Sequence, residues 1–109
     1  MKKELILKGT INILILVELT KGQLYGYAIE KKINDRLNSK LPTGTIYTLL
    51  HSLENRGYIK YKNEKNENGR QSKTYIIMDS GLQFLRDHKE PLSNVRVILD
   101  YLIDEINKL

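Results

Sequence analysis

The sequence predicts a mainly α-helical domain that carries one small β-hairpin. Two observations support this fold class. Three stretches with helical characteristics come first, and two short runs rich in β-branched and aromatic residues follow, separated by an Asn-Gly turn signal, before further helix. A chain of 109 residues forms one domain, and 40% hydrophobic with 28% charged residues is the composition of a globular protein and not of a disordered one.

The first two predicted helices cover residues 9–19 and 25–38. The first is apolar on nearly every side, and its β-branched residues favour a strand. We nevertheless predict a helix, because Thr10 can cap its start and Gly22 can end it. The second has apolar residues every four positions, which form one narrow stripe: Ile29, Ile33 and Leu37.

The apolar run at residues 5–19 is the one stretch to test as a membrane segment. It contains Lys8, Asn12 and Glu18, and it is shorter than the ~20 apolar residues of a spanning helix. No small-residue cleavage site follows it. We therefore expect a buried helix, no membrane partner and a cytoplasmic protein. The chain has no cysteine, which excludes disulfides and thiolate zinc sites, and we expect no metal or cofactor.

The third predicted helix is the clearest element, since one side is apolar and the other is polar. Thr43 after Pro42 is the expected N-cap, and Gly57 is expected just past the end. The apolar residues follow i, i+3, i+4, i+7 spacing: Ile46, Leu49, Leu50 and Leu53. The other side carries hydroxyl or planar hydrogen-bonding groups: Thr45, Tyr47, Thr48, His51, Ser52 and Asn55. A merely solvated side usually has more Lys and Glu.

Two short strands are predicted next, at residues 58–62 and 73–78, with Asn68-Gly69 as the turn between them. Residues 60–73 hold five basic and two acidic side chains, a net charge of +3. The acids also fit an ordinary exposed hairpin kept soluble by charge. The basic residues past the turn favour contact with phosphates.

The C-terminal part is predicted as a helix at residues 80–88, capped by Asp79 or Ser80, and a last helix at residues 91–109. The last helix has apolar residues at 4, 3, 4, 3 spacing: Val95, Leu99, Leu102, Ile106 and Leu109. Two heptads are too short for a stable lone helix, so this seam needs a surface from its own domain or from a second copy. We expect it to be a dimer interface.

This order of elements is that of a winged helix-turn-helix, in which the second helix of the pair enters the major groove and the hairpin reaches backbone phosphates. We expect groove and phosphate contacts from helix three: Thr43, Thr45, Tyr47, Thr48 and His51. The wing contacts are expected from Lys62, Arg70 and Lys73, with Lys40 as a further candidate. Neither histidine lies in a catalytic or metal motif, and we predict no enzyme.

Several motifs resemble the PadR family of transcriptional regulators over residues 7–85. They are Tyr-Gly-Tyr at 25–27, Gly-Thr-Ile-Tyr at 44–47, Leu-Glu-Asn-Arg-Gly-Tyr-Ile at 53–59 and Gly-Arg at 69–70 before Lys-Thr-Tyr at 73–75. Thr48 stands where the family often has proline, and Met78-Asp79-Ser80 replaces its usual residues before Gly81. The resemblance implies a homodimeric DNA-binding repressor that pairs through its C-terminal helix, and some members of the family bind small-molecule effectors.

The sequence thus predicts a winged helix-turn-helix DNA-binding domain at residues 1–90 and a dimerisation helix at residues 91–109. We expect a sequence-specific transcriptional repressor that binds a pseudo-palindromic operator on double-stranded DNA as a homodimer and can respond to a small-molecule effector. Half-sites should lie about 34–36 Å apart. The alternative is a winged-helix adaptor that binds protein, which the polar side of helix three and the basic wing disfavour.

Overall fold

The computed structural model describes residues 6–7, 9–65 and 67–109. The helices are α1 Ile11–Leu19, α2 Gly26–Leu37, α3 Thr45–Asn55, α4 Asp79–Asp87 and α5 Lys89–Asn107. The strands are β1 Leu24–Tyr25, β2 Ile59–Lys65 and β3 Gln71–Ile77. The mainly helical fold class with a β-hairpin is confirmed.

The core lies where α1, α2 and α3 meet one face of the sheet. Its fully buried side chains come from all three helices: Ile11, Ile15, Leu16, Ile29, Ile33, Ile46, Leu50 and Leu53. The predicted helix at residues 9–19 is confirmed, and Thr10 is its N-cap residue. The Thr10 hydroxyl donates to the Leu7 carbonyl at 2.8 Å and makes no capping bond into the helix, so that detail of the prediction is wrong.

The sheet is antiparallel and has the order β1-β3-β2. Strand β1 was not predicted, because a strand of two residues is too short to show alternating polar and apolar side chains. It is defined by the pairing of Tyr25 with Thr74 on β3. The hairpin strands extend further than predicted, as far as the pairing of Lys65 with Gln71. Gly69 lies between them with φ +74°, so the turn is where the Asn-Gly signal indicates.

Helix α3 begins one residue later than predicted. Gly44, and not Thr43, is its N-cap, with φ +89°, a conformation that costs glycine little and threonine much more. The Thr45 amide donates to the Pro42 carbonyl at 3.2 Å, which makes residues 42–45 a turn. The predicted end is confirmed: the amides of Gly57 and Tyr58 bond back into the last turn of α3 as in a Schellman motif.

Helices α4 and α5 differ from the sequence prediction at their starts. Met78 is the N-cap of α4, and the Ser80 hydroxyl instead donates 2.6 Å to the Gly57 carbonyl, which ties α4 to the end of α3. Helix α5 begins at Lys89, and Pro91 lies in its first turn, where its missing N–H costs nothing. His88 alone separates the two helices.

Helix α5 projects from the rest of the molecule. None of its 19 residues is buried. Among the described elements, α4 is the one against which it packs to any extent. The radius of gyration is 16.0 Å, against about 13 Å for a compact chain of this length. The predicted seam residues are all exposed in the single chain: Val95, Leu99, Leu102, Ile106 and Leu109.

A buried carboxylate joins α1 to α2. Glu18 is only 4% exposed, and its carboxylate accepts a bond from Arg36 Nε at 2.9 Å and lies 3.4 Å from Lys21 Nζ. Burial by itself would raise the pKa of Glu18, but these two cations outweigh it and hold the pKa below its ordinary value. The ion pair between Glu18 and Arg36 therefore ties α1 to the C-terminal turn of α2.

Candidate nucleic-acid interface

The polar side of α3 faces away from the rest of the chain. Tyr47, Thr48, His51 and Asn55 are exposed, and Thr45 and Ser52 are half-buried. The opposite side is completely buried through Ile46, Leu50 and Leu53. The core therefore holds α3 by its apolar stripe, and its hydrogen-bonding side chains remain accessible. Its one charged residue is the half-buried Glu54.

The Tyr47 ring packs against the start of α2. A Cβ atom on Gly26 would lie 2.8 Å from Tyr47 Cε1, so the ring can rest on the start of α2 only because residue 26 is glycine. Burial, with a smaller effect of Glu30, raises the pKa of the Tyr47 phenol above its ordinary value. The hydroxyl is thus a neutral hydrogen-bond donor and acceptor at physiological pH, and the ring also helps set the angle between α2 and α3.

Lys62 and Lys73, the two lysines predicted to contact DNA from the wing, lie on opposite faces of the hairpin. Lys62 pairs with Thr74, the residue after Lys73, and successive strand residues point to opposite faces. Lys62 Nζ forms an ion pair with Glu64 at 2.9 Å, and that carboxylate also accepts from the Thr74 hydroxyl at 3.0 Å. These bonds, the one from Lys62 foremost, lower the pKa of Glu64. Part of the wing's positive charge is therefore neutralised on this face.

Lys73 faces α3. Its Nζ lies 4.2 Å from the centre of the Tyr61 ring, a cation–π contact that leaves the side chain exposed. Between β3, α3 and the start of α2 lies a cleft of about 410 Å³, which we call the tyrosine cleft. Its lining is Tyr25, Gly26, Tyr27, Tyr47, His51, Glu54, Ser72, Lys73 and Tyr75. The fold thus brings together Tyr47, His51 and Lys73 from the residues predicted by sequence.

The remaining predicted residues do not line this cleft. Thr43 is exposed in the turn before α3, and Arg70 is exposed beside the hairpin turn. Lys40 is exposed at the far end of α2, beside a separate depression that Tyr27 also lines. Tyr27 itself was not among the site residues predicted from sequence, and it is 59% exposed. The Tyr-Gly-Tyr motif was the available signal, but it gave no information on exposure.

The described part of the chain offers neither a metal-binding cluster nor a membrane-spanning helix. Residues 6–7, 9–65 and 67–109 contain no group of three or more His, Asp or Glu side chains that could hold a metal ion. Within the same ranges, every helix is too short or too polar to cross a bilayer.

Comparisons with known proteins agree on one family. The family model described as "Transcriptional regulator PadR-like family" matches residues 15–87. The transcriptional regulator TA0346 of Thermoplasma acidophilum is 38% identical with a TM-score of 0.85, over 91% of this chain and 95% of that one. The PadR-like regulator BC4206 of Bacillus cereus is 28% identical with a TM-score of 0.77, over 89% and 94%.

A third similar structure is Bacillus subtilis PadR in complex with operator DNA. It is 30% identical, with a TM-score of 0.64, over 72% of this chain and 45% of that one. The comparison with curated proteins gives no match. The family consists of transcription regulators, so the expectation that this protein is not an enzyme is confirmed. With a family match across most of its length and the helix order and wing described above, this chain belongs to the PadR-like family of winged-helix transcriptional regulators.

Proposed function

We propose that this protein is a sequence-specific repressor that binds a pseudo-palindromic operator as a homodimer. The observation that carries the proposal is the side of α3 opposite the core, which is accessible, almost uncharged and rich in hydroxyl groups, with Lys73 of the wing beside it. B. subtilis PadR, which shares this fold, was solved with operator DNA.

Helix α3 is assigned to the major groove, which is wide enough to admit a helix. Thr48 and His51 lie near the middle of its exposed side and are assigned to base edges and adjacent phosphates. Thr43 and Thr45 flank the start of α3, where hydroxyl groups serve phosphate oxygens well. Tyr47 contributes its hydroxyl from the side of the tyrosine cleft.

The wing is assigned to the neighbouring backbone. Lys73 supplies positive charge on the face toward α3, Arg70 supplies it from beside the hairpin turn, and Lys62 supplies a weaker contact because Glu64 already engages it. Lys40 is assigned to a more distant phosphate. Each cationic contact displaces counterions from the duplex and makes binding dependent on salt.

The homodimer is assigned to α5. Its apolar stripe combines the predicted seam with flanking residues that are equally exposed, including Leu92, Ile98 and Ile103. A second copy offers the same stripe, so the contact is self-complementary about a two-fold axis. Residues 91–109 would then form the dimerisation unit, and residues 1–90 the DNA-binding domain, in a protein that acts in the cytoplasm, where the DNA is.

The proposal is tested by titrating labelled DNA from the protein's own upstream region and following fluorescence anisotropy. We expect saturable binding to that fragment and much weaker binding to unrelated DNA. Absence of binding at low salt contradicts the proposal and favours the protein-binding adaptor. Addition of small aromatic compounds to the complex tests whether an effector releases the DNA.

The wing assignment is tested by Arg70→Ala. Removal of one phosphate contact from each subunit should weaken binding about equally for all sequences and reduce the slope of log affinity against log salt by roughly 1 per contact, about 2 for the proposed homodimer. The matched control is Arg96→Ala on the exposed surface of α5. An unchanged slope in Arg70→Ala removes this residue from the interface.

A further inference from the structure

Tyr27 lies at the start of α2 with most of its ring in solvent. It is 59% exposed, and its ring stacks on that of Tyr25, with centroids 5.5 Å apart and planes within 9° of parallel. Packing in the hydrophobic core does not explain this side chain, because most of the Tyr27 surface is exposed to solvent. Its ring is nevertheless held in place, since stacking on the half-buried Tyr25 restricts its motion.

The short strand β1 places this stacked pair next to the wing. Tyr25 pairs with Thr74, which is adjacent to Lys73 in β3. The pairing therefore brings the start of α2 and Lys73 to the same cleft, although they are far apart in sequence. The position of Tyr27 relative to α3 and the wing is set by sheet hydrogen bonds, not by a loop.

We infer that the tyrosine cleft binds one backbone phosphate of the operator, with the Tyr27 hydroxyl and the Lys73 ammonium as its contacts. This inference rests on the proposed function. It places the phosphate between the major groove that α3 is proposed to enter and the backbone phosphates that the wing is proposed to contact. It adds a contact from α2, which composition and spacing did not assign to DNA.

The chemistry of the lining matches a phosphate. Phosphate oxygens only accept hydrogen bonds, and the accessible groups of the cleft can donate: the Tyr27 and Tyr47 hydroxyls, the His51 ring and the Lys73 ammonium. Burial raises the pKa of both Tyr47 and Tyr75, which keeps these phenols in the donating form. The one acid in the lining, Glu54, is half-buried.

The position of the cleft selects DNA as the source of that phosphate. His51 of α3 and Lys73 of β3 lie on its two sides, and both belong to elements assigned to the duplex. A duplex that meets both elements must pass over the opening between them. A preformed contact of this kind costs little ordering on binding, because strand pairing and ring stacking already hold Tyr27.

The test is Tyr27→Phe, which removes one oxygen and keeps the ring that stacks on Tyr25. We expect affinity to fall about tenfold for each half-site, since each subunit loses a hydrogen bond to a charged group. The loss should be equal on operator and on unrelated DNA, because a phosphate carries no sequence information. The salt slope should remain that of the wild type, because a neutral hydroxyl displaces no counterion. Lys73→Gln should lower affinity uniformly and reduce the slope by roughly 1 per subunit, about 2 for the dimer.

The matched control is Tyr101→Phe, because Tyr101 is 62% exposed, lies on α5 and should bind DNA like the wild type. Wild-type affinity in Tyr27→Phe overturns the inference. A loss confined to the operator also overturns it, because it would indicate a base contact. Wild-type protein that fails to bind any DNA instead contradicts the proposed function itself, and the two failures are therefore distinguishable.

Discussion

Helices α3 and α5 have the same kind of sequence pattern and opposite surroundings. Both carry apolar residues at three- and four-residue spacing. In α3 three of the four stripe residues are fully buried in the core and Leu49 is partly buried, whereas α5 has no buried residue at all. An apolar stripe therefore indicates that a helix must pack, but it does not indicate whether the partner comes from the same chain. The difference separates a winged-helix body (α1–α4 with the sheet) from α5, the helix that we propose for assembly.

The largest expected effect comes from weakening the body. Leu50→Ala opens a cavity beneath α3 and should lower the free energy of unfolding by about 2–5 kcal/mol. Urea denaturation followed by circular dichroism measures this. The difference from wild type should be the same at low and high protein concentration, since Leu50 packs within its own chain. If the difference in free energy of unfolding changed with protein concentration, it would contradict the distinction drawn between α3 and α5.

A charge on α5 should act on assembly instead. Leu102→Glu places a carboxylate in the apolar seam and should weaken the dimer by 100-fold or more, about 3 kcal/mol, because the charge must be desolvated on pairing. Light scattering at micromolar concentration should report a monomer, and operator binding should weaken because the two half-sites are no longer engaged together.

The control for that change is Val97→Glu. Val97 is 67% exposed on the same helix and lies outside the predicted seam. It should leave the dimer intact, and its helix content should equal that of Leu102→Glu. If Leu102→Glu remains dimeric, the assembly surface lies elsewhere on the chain.

A smaller effect is expected when the ion pair between Glu18 of α1 and Arg36 of α2 is removed. Glu18→Gln should cost about 1–3 kcal/mol, because the bonds from Arg36 and Lys21 lose their charged acceptor. The pKa of Glu18 is lowered in the folded chain, so its contribution is present above the ordinary value of 4.5 and is lost as pH falls through the folded pKa. Wild type and variant should therefore differ at about pH 7 and converge on acidification. A constant difference across that range would show that charge is not the cause.

The parts of the fold that sequence predicted well are those fixed by local patterns. The stripe of α3 and its end at Gly57 depend on residues within one or two turns of each other, and both were predicted. Strand β1 depends on a partner fifty residues away, so no local signal could reveal it. Thr43 was chosen as the cap from side-chain chemistry, but the backbone reverses at Gly44, and glycine tolerates the positive φ.

The candidate site was predicted in part, for a related reason. The polar side of α3 follows directly from helical periodicity. The separation of Lys62 from Lys73 onto opposite faces follows from sheet register, which the sequence did not specify beyond the turn. The exposure of Tyr27 depends on how α2 meets the sheet, and a motif alone carries no such information.

The junction at His88 has a mechanical consequence. Helices α4 and α5 meet there without a linker, and His88 Nδ1 lies 2.7 Å from the Phe84 carbonyl while its ring packs on that of Phe84. Since α5 is ~28 Å long, a change of about 10° in the angle at which two such helices cross displaces each attached body by roughly 5 Å. In the proposed dimer, the angle at which the two α5 helices cross would therefore set the distance between the half-sites, and the linker-free junction at His88 would pass a change in that angle on to the DNA-binding body.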